Sequence, residues 1–425
     1  MEPFSFAPGR SFAQSLDSSD ELKAFRSEFV IPDPDLLYMD GNSLGRLPRQ
    51  TAARLEEVTA REWGHQLIRS WGQGWFTAPL QIGEKIARLL GAAPGQVVIS
   101  DSTSVNLFKM VMAALALRPG RAKIVTDDLN FPSDLYILQG SIRLLGGKHT
   151  LQVVPSPDKI VPDLKALEAA IDQDTALVTL SHVVFKSGYL YDAAAVARRA
   201  HAMGALVLWD LSHSAGSVPV CLDDWEADLA VGCTYKYLNG GPGAPAYLYV
   251  RHDLQPAALS PIWGWFGDQS PFAFDLDYEP DPGIKRFLCG TPPILSLLAI
   301  EPGVDLLLAA GMDRLRRKSI ALTSYLVFLY DTILAPLGFD LGSPRDPERR
   351  GSHVSLRRPE GYRINRTLIE EMHVLPDFRE PDNIRLGLTP LYTTFEEVFE
   401  TVDRIRQVVS GRRFLNYPAS RQSVT

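Results

Sequence analysis

The chain has 425 residues, of which 45% are hydrophobic and 22% charged, a balance that is ordinary for a globular protein. The formal net charge of -7 predicts a surface that repels phosphate backbones, which argues against a nucleic-acid partner. The length exceeds what one hydrophobic core usually serves, so we expect a large domain together with a smaller one.

Short apolar runs alternate with segments of helical period between residues 96 and 250. This alternation predicts a mainly parallel sheet covered by helices on both faces, an α/β fold in which ligands bind at the carboxyl ends of the strands. The predicted strands are 97–100, 123–126, 151–154, 176–181, 205–210, 229–232 and 246–250, and the predicted helices are 104–117, 163–171 and 193–203.

We expect three parts along the chain. Residues 1–50 form an N-terminal segment that contributes to the small domain and the active site, 51–308 form the large domain, and 309–425 form a small C-terminal α+β domain. In the last part the pattern predicts helices at 314–334, 363–372 and 394–409 and strands at 352–356 and 383–388.

The three cysteines, Cys221, Cys233 and Cys289, lack the spacing of metal ligands, and their odd number gives no disulfide framework. The N-terminal residues show no signal-peptide pattern, and we find no apolar run near the roughly 20 residues that span a bilayer. We therefore expect a cytoplasmic protein without a bound metal or a membrane partner.

The run LWDLSHSAG at residues 208–216 places Asp210 at the end of a buried apolar strand. A carboxylate in that position is costly unless a cation pairs with it. Asp210 either caps the following helix or pairs with the protonated pyridine nitrogen of a cofactor. Taken alone, the run favours neither interpretation.

The run CTYKYLNGGPG at residues 233–243 places Lys236 just after a short apolar strand. Burial of an amine favours its neutral form, which can form a Schiff base, although a lysine in an ordinary exposed turn has the same local pattern. Lys236 follows Asp210 by 26 residues. Two such strand-terminal residues favour pyridoxal 5'-phosphate, because this cofactor needs them at opposite ends of its ring.

A phosphate site is predicted at residues 101–106 (DSTSVN), between a predicted strand and a predicted helix. Backbone N–H groups and hydroxyls converge on an anion at such a position. Thr103 and Ser104 are the candidate ligands, with a plain helix N-cap at Ser104 as the alternative. The run is not a glycine-rich fingerprint, which disfavours a nucleotide.

Seven motifs, taken in order, resemble those of the kynureninase family over nearly the whole chain. This resemblance implies the type I pyridoxal-phosphate-dependent transferase fold of the class V aminotransferase-like enzymes, and a homodimer that builds each site from both subunits. The motifs are DGNSLG at 40–45, IRSW at 68–71, FPSDLY at 131–136, DLSHSAG at 210–216, YKYLNGGPG at 235–243, GWFG at 264–267 and RLGLTPLY at 385–392.

The resemblance also implies roles for matching residues. Lys236 would carry the cofactor, Asp210 would pair with its ring nitrogen, and Arg385 would grip the substrate α-carboxylate with two N–H groups. Tyr235 would be a proton donor or a phosphate ligand. The other cofactor contacts would be Thr103, Ser104, Phe131 stacked on the ring, Pro132, Ser133, Asp134, Ser181 and His213, with Trp265 and Thr291 from the partner subunit; Asn42, Ser43 and Trp63 would line the aryl-ketone side.

For Phe131 and Arg385 we also weigh a core phenylalanine and a surface arginine. The implied reaction is hydrolytic cleavage of the Cβ–Cγ bond of L-kynurenine to anthranilate and L-alanine, with 3-hydroxyanthranilate formed from the 3-hydroxylated substrate. It belongs to tryptophan catabolism by the kynurenine pathway and to NAD biosynthesis. Trp63 and Thr291 resemble the bacterial form of the family, which prefers kynurenine.

Val184 and Phe185 stand where the family often has Asn and Tyr, and Ser212 stands where alanine is usual. These departures bear on substrate preference more than on the type of reaction. Two alternatives remain: another type I enzyme, such as an aminotransferase or a cysteine desulfurase, and a non-catalytic sensor that kept the cofactor pocket. The cysteines lie beside apolar runs or a proline, which disfavours a desulfurase, and the intact Lys, Asp and Arg set argues against a sensor.

Overall fold

The computed structural model describes residues 5–419; residues 1–4 and 420–425 of the predicted first and last parts lie outside the described residues. The strands are β1 Leu37–Tyr38, β2 Val97–Ser100, β3 Lys123–Asp127, β4 Thr150–Val154, β5 Thr175–Ser181, β6 Leu206–Asp210, β7 Leu229–Gly232, β8 Ala246–Val250, β9 Asp340–Leu341, β10 His353–Arg357, β11 Val374–Leu375, β12 Asp377–Arg379 and β13 Asn383–Gly387. The α-helices are α1 Arg10–Ser19, α2 Arg49–Glu57, α3 Ala78–Leu89, α4 Thr103–Leu117, α5 Pro132–Leu144, α6 Leu164–Ala170, α7 Ala193–Ala202, α8 Ile294–Leu298, α9 Glu301–Ala310, α10 Met312–Leu329, α11 Gly361–Glu371 and α12 Phe395–Ser410.

The large sheet has the strand order β2-β8-β7-β6-β5-β3-β4. Strands β3 to β7 run parallel, whereas β8 is antiparallel to both of its neighbours. Every residue of β5, β6 and β7 is buried, which explains why these strands are almost continuously apolar in sequence. The predicted α/β fold with a mainly parallel sheet is confirmed.

Helices α4 and α5 begin just after β2 and β3, beside the edge where the parallel strands end. The side chain of Ser102 caps α4 by accepting a hydrogen bond from the backbone N–H of Val105 at 3.4 Å. The helix predicted at 104–117 is confirmed to within one residue, and its N-cap is Ser102 rather than Ser104. Helix α5 was not predicted; Pro132, at its first position, has a backbone angle suited to starting a helix.

The second sheet is antiparallel, with the order β12-β13-β10-β9. It packs on α10, α11 and α12 around a buried apolar cluster that also includes Ala13 and Met39 from the N-terminal segment. A reciprocal pair of hydrogen bonds between Thr394 and Glu397 starts α12. The N-terminal segment thus shares the core of this second sheet, while the predicted domain boundaries stay a prediction.

One helical stretch, Met312–Leu337, is long and apolar enough to pass as a membrane span, contrary to the sequence expectation that none exists. Half of the apolar window in this stretch is buried inside the protein. Its apolar residues include Leu322 and Leu326, which pack in the core of the second sheet. This burial is what a core helix requires, and it accounts for the composition of the stretch.

A buried ion pair joins the N-terminal segment to α10. Lys318 Nζ lies 2.7 Å from Asp20 Oδ2, and both side chains are less than a tenth exposed. Burial lowers the pKa of Lys318, and the charge of Asp20 opposes that shift. Removing either charge alone leaves the other one buried without its partner.

We expect Lys318→Met to lower the free energy of unfolding by about 3–5 kcal/mol, because it leaves the Asp20 carboxylate buried and unpaired. Equilibrium denaturation in urea measures the change. The double variant Asp20→Asn/Lys318→Met should recover most of the loss, since no unpaired charge then remains.

The neighbouring pair of Arg317 and Glu21 is a matched control, because both of its side chains are more than half exposed. Arg317→Met should change the free energy of unfolding by less than about 1 kcal/mol. Equal losses in Lys318→Met and Arg317→Met would contradict the role given to the buried pair.

Candidate active site

The carboxyl ends of β5, β6 and β7 meet at one edge of the large sheet. The register places Ser181 beside Asp210, and Asp210 beside Val231, so these strand ends are immediate neighbours. A cavity of about 220 Å³ opens at this edge. It is lined by Ser43, Thr103, Ser104, Phe131, Ser133, Asp134, Ser181, Phe185, Asp210, Ser212, His213, Tyr235, Lys236, Arg379 and Arg385.

Most of the residues predicted for the site line this cavity, and two more adjoin residues that do. Pro132 stands between Phe131 and Ser133 at the start of α5. Asn42 is fully buried and contacts Arg385. The structure therefore brings together the residues that the sequence analysis assigned to one subunit, with the exception of Trp63.

Trp63, Trp265 and Thr291 do not line the cavity. Trp63 is 57% exposed on the helical segment Val58–Gln66. Trp265 lines a separate pocket with other aromatic residues, and Thr291 lines a neighbouring cavity that shares Tyr235 with the site. The last two were expected to act in the site of the partner subunit, so their distance from this cavity does not bear on that expectation.

Lys236 contacts His213 in the wall of the cavity. Its Nζ lies 2.8 Å from His213 Nε2. Burial, and next the positive charge of Lys236, hold the pKa of His213 well below its usual value, so the imidazole is neutral at neutral pH. A neutral imidazole accepts a hydrogen bond at Nε2 when its proton is on Nδ1. Nδ1 of His213 has no hydrogen-bond partner among residues 5–419.

Two buried carboxylates face the same space. The backbone N–H of Ser212 donates to Asp210 Oδ1 at 2.8 Å, while Oδ2 has no hydrogen-bond partner in the described part of the chain. Burial, and next the negative charge of Asp210, raise the pKa of Asp134 well above its usual value. Asp210 thus caps a turn with one oxygen and offers the other to the cavity, where a cationic ring N–H would satisfy it.

Hydroxyl side chains meet in the cavity wall at the N-termini of α4 and α5. Ser104 Oγ and Ser133 Oγ are 3.2 Å apart, and Thr103 lines the same wall. Hydroxyls beside the first N–H groups of two helices favour a phosphate. An amine, a carboxylate for a ring nitrogen and an anion site therefore surround one cavity, and this set fits pyridoxal 5'-phosphate.

The ring of Phe185 packs edge-on against Phe131, with ring centroids 5.1 Å apart and an interplanar angle of 88°. Phe131, expected to stack on the cofactor ring, is 37% exposed towards the cavity and is therefore not a core phenylalanine. The backbone oxygen of Phe185 accepts a hydrogen bond from Arg385 Nη1 at 2.6 Å. This contact does not depend on the side chain at position 185.

Arg385 is 1% exposed, which excludes the surface-arginine interpretation. It stands opposite Asp377 in the register of β12 and β13 and forms an ion pair with it. Its Nη2 also donates to Ser43 Oγ at 2.8 Å. Burial lowers the pKa of Arg385, which Asp377 partly offsets. The guanidinium is therefore held in place before any substrate binds.

The sequence analysis missed three residues of this wall: Arg379, Asp377 and Asp40. Burial, and next the charge of Asp377, raise the pKa of Asp40 to about 6. The motif at 385–392 drew attention to Arg385 alone, although Asp377 and Arg379 alternate in the short run just before it. That period-two spacing of charges was the available signal.

Comparison with known proteins gives one family. The model of the kynureninase C-terminal domain matches residues 315–405. A kynureninase from Pseudomonas fluorescens is 45% identical, over 95% of this chain and 96% of the relative. A kynureninase from Burkholderia pseudomallei (strain 1106a) is 44% identical, over 94% of this chain and 95% of the relative.

Solved structures show the same fold at much lower identity. The apo cysteine desulfurase from Thermococcus onnurineus NA1 superposes with a TM-score of 0.76 at 18% identity, covering 96% of this chain and all of that one. A cysteine desulfurase from Escherichia coli gives a TM-score of 0.76 at 17% identity, covering 92% and 98% of the two chains. The desulfurases share the architecture alone, whereas the full-length identity and the domain match show that this chain belongs to the kynureninase family.

Proposed function

We propose that this chain is a pyridoxal-phosphate-dependent hydrolase that cleaves the Cβ–Cγ bond of L-kynurenine to anthranilate and L-alanine. The observation that carries the proposal is that Lys236, Asp210 and Arg385 line one cavity. The 45% identity to a kynureninase over nearly the whole chain supports the choice of reaction.

The thiols argue against the desulfurase alternative. Burial raises the pKa of Cys221, Cys233 and Cys289, so each thiol stays protonated at neutral pH. Cys233 directly follows β7, is buried, and contacts Ser212 through its backbone N–H and its Sγ, so its thiol is not accessible to a substrate. A catalytic cysteine needs an accessible thiolate.

Residues of different chemical type would hold different parts of the cofactor. Lys236 would bind its aldehyde carbon, Asp210 its ring nitrogen, and the hydroxyls of Thr103, Ser104 and Ser133 its phosphate. When bound, pyridoxal phosphate withdraws electrons from the substrate Cα through its protonated ring. Asp210 keeps that nitrogen protonated, because a buried carboxylate stabilises a neighbouring positive charge.

Proton transfer at the substrate is assigned to Lys236 and Tyr235. Lys236 Nζ removes the proton from Cα, and the neutral imidazole of His213 orients that amine. The neighbouring sulfur of Cys233, and next burial, raise the pKa of Tyr235, so its hydroxyl keeps a proton to donate. A hydrogen bond from Tyr235 to the phosphate is the other role open to this residue.

Arg385 would bind the substrate α-carboxylate and so fix the bond that breaks relative to the cofactor ring. Ser43 and Asn42 hold the guanidinium from the side of the N-terminal segment. A reacting group held in one orientation reacts faster than one that rotates freely. Trp63 is proposed for the aryl-ketone side, with a preference for kynurenine over its 3-hydroxy form.

We also propose a homodimer in the cytoplasm that acts in tryptophan catabolism and NAD biosynthesis. Large aromatic side chains at Trp263, Trp265, Phe272 and Phe274 are exposed close together in sequence. Exposed apolar patches of this kind mark protein–protein interfaces. If a partner subunit covered these aromatic side chains, Trp265 and the nearby Thr291 would contribute to the site of that partner.

Lys236→Ala should abolish both the visible absorption of the bound cofactor and the release of anthranilate, because within residues 5–419 no other lysine lines the cavity. Absorbance spectra and anthranilate fluorescence measure the two effects. Lys165→Ala, an exposed lysine on α6, should change neither. Turnover by Lys236→Ala would show that the amine is wrongly assigned.

Arg385→Lys should raise KM for kynurenine by roughly 10- to 100-fold, because a lysine cannot reproduce the planar set of charge-assisted hydrogen bonds. Steady-state kinetics give the value, and thermal unfolding checks that the variant folds. An unchanged KM in a folded variant would remove Arg385 from the substrate site.

A further inference from the structure

The N–H groups of Arg385 are nearly all engaged by the protein itself. Nη2 donates to Ser43 and Asp377, and Nη1 donates to the backbone oxygen of Phe185. In the orientation that satisfies both ends of its amide, Asn42 accepts a hydrogen bond from Nε at 2.9 Å. A guanidinium has five N–H donors, so these four contacts leave one donor, on Nη1, for a ligand.

A single N–H group is a poor match for a carboxylate, which is bound most strongly by two parallel donors. Releasing a second donor from Arg385 would break its contact with Ser43, Asn42, Phe185 or Asp377. Each of those groups would then lose a charge-assisted partner at a buried or half-buried position. The wall that holds Arg385 therefore limits what this residue alone offers to a substrate.

Arg379 lies beside this remaining donor. Residues 377 and 379 point to the same face of β12, and Asp377 is directly opposite Arg385 on β13. Arg379 Nε donates to Asp377 Oδ2 at 2.9 Å, the same oxygen that pairs with Arg385. Both arginines line the cavity. One carboxylate thus orients two guanidiniums towards a common space.

The terminal nitrogens of Arg379 are free to bind a ligand. Within residues 5–419, the hydrogen bond to Asp377 is made by Nε, and neither Nη1 nor Nη2 has a hydrogen-bond partner. The side chain is 36% exposed, so it sits at the mouth of the cavity, whereas Arg385 is enclosed in the wall. The two Nη groups of a guanidinium present parallel donors to a planar anion.

The two aspartates and the two arginines that line the cavity come from different parts of the fold, and Lys236 belongs to the same part as the aspartates. Asp134 and Asp210 belong to α5 and β6 of the large sheet region, while Arg379 and Arg385 belong to the second sheet. An amino-acid substrate whose amine reacts at Lys236 would therefore direct its carboxylate away from the two aspartates and towards the two arginines.

We propose that Arg379 is a second substrate-binding arginine, which donates its Nη groups to the substrate α-carboxylate beside the one N–H that Arg385 has free. This inference rests on the proposed function, since it assumes an α-amino acid bound through Lys236. Arg379 in this role selects for substrates that carry the carboxylate, and Asp377 is the residue that positions both arginines.

The experiment uses the holoenzyme with Arg379→Met and Arg379→Lys. The matched control is Arg357→Met, because Arg357 is a similarly exposed arginine of the same sheet, paired with Asp382 and outside the cavity. Two ligands are compared: L-kynurenine as substrate, and its decarboxylated analogue, which keeps the aryl ketone and the amine, as competitive inhibitor. Titration calorimetry with L-alanine gives a readout that does not depend on turnover.

We expect Arg379→Met to raise KM for kynurenine and the Kd for L-alanine by about tenfold or more, from the loss of charge-assisted hydrogen bonds. The inhibition constant of the decarboxylated analogue should stay within about twofold. Arg379→Lys should give KM and Kd values between those of Arg379→Met and the unmodified enzyme, because lysine keeps the positive charge but lacks the parallel N–H donors of a guanidinium. Arg357→Met should match the unmodified enzyme with all three ligands.

Two results would overturn the inference. The first is a KM and an alanine Kd that stay within about twofold in Arg379→Met. The second is an inhibition constant for the decarboxylated analogue that rises as much as KM, which would mean that Arg379 only supports the wall. A lack of anthranilate release by the unmodified enzyme would instead refute the proposed function, so the two failures are distinguishable.

Discussion

Parallel strands that end at the same edge of a sheet bring their last residues together, and the site depends on this constraint. Ser181 and Asp210 are direct partners across β5 and β6, and the chain reaches Lys236 soon after the end of β7. The strands are buried on both faces, so polar groups at their ends have little access to water. A buried carboxylate and a half-buried amine in such a place need ligands or each other.

The second constraint is the enclosure of Arg385. Its partners come from three parts of the molecule: Asp377 from the second sheet, Phe185 from the large sheet region, and Ser43 with Asn42 from the N-terminal segment. A guanidinium tied to all three cannot shift without loosening contacts between them. The cavity wall around Arg385 is therefore rigid, and a substrate bound there as proposed would be held in one orientation.

The fold alone does not specify the reaction. Cysteine desulfurases share it at TM-scores of 0.76 with fewer than one residue in five identical. In this chain the three thiols have raised pKa values, and two arginines line the same cavity as the aspartates. The replacement of a family tyrosine by Phe185 is compatible with the same site, because its ring packs on Phe131 and its backbone oxygen holds Arg385.

The central strands and many of the helices could be predicted from the amino-acid sequence, because each buried parallel strand is a continuous apolar run bounded by polar residues. Strands Val97–Ser100, Leu229–Gly232 and Ala246–Val250 have the predicted bounds. Helix α3 was missed because Gly83 interrupts its pattern. A side chain at Gly83 would lie 2.4 Å from the backbone oxygen of Val97, so close packing on β2 explains the glycine.

Asp210 and Lys236 were likewise predictable, since a charged residue at the end of an apolar run can be recognised from the amino-acid sequence alone. The wall around Arg385 could not be predicted in this way, because its contacts join residues that are far apart in the chain. Ser43 and Arg385, for example, are separated by 342 positions. Which donors of Arg385 are already engaged, and that Arg379 opens onto the same cavity, depend on how the sheets and the N-terminal segment pack. Local propensity and spacing carry no information about such contacts, and only the tertiary structure decided them.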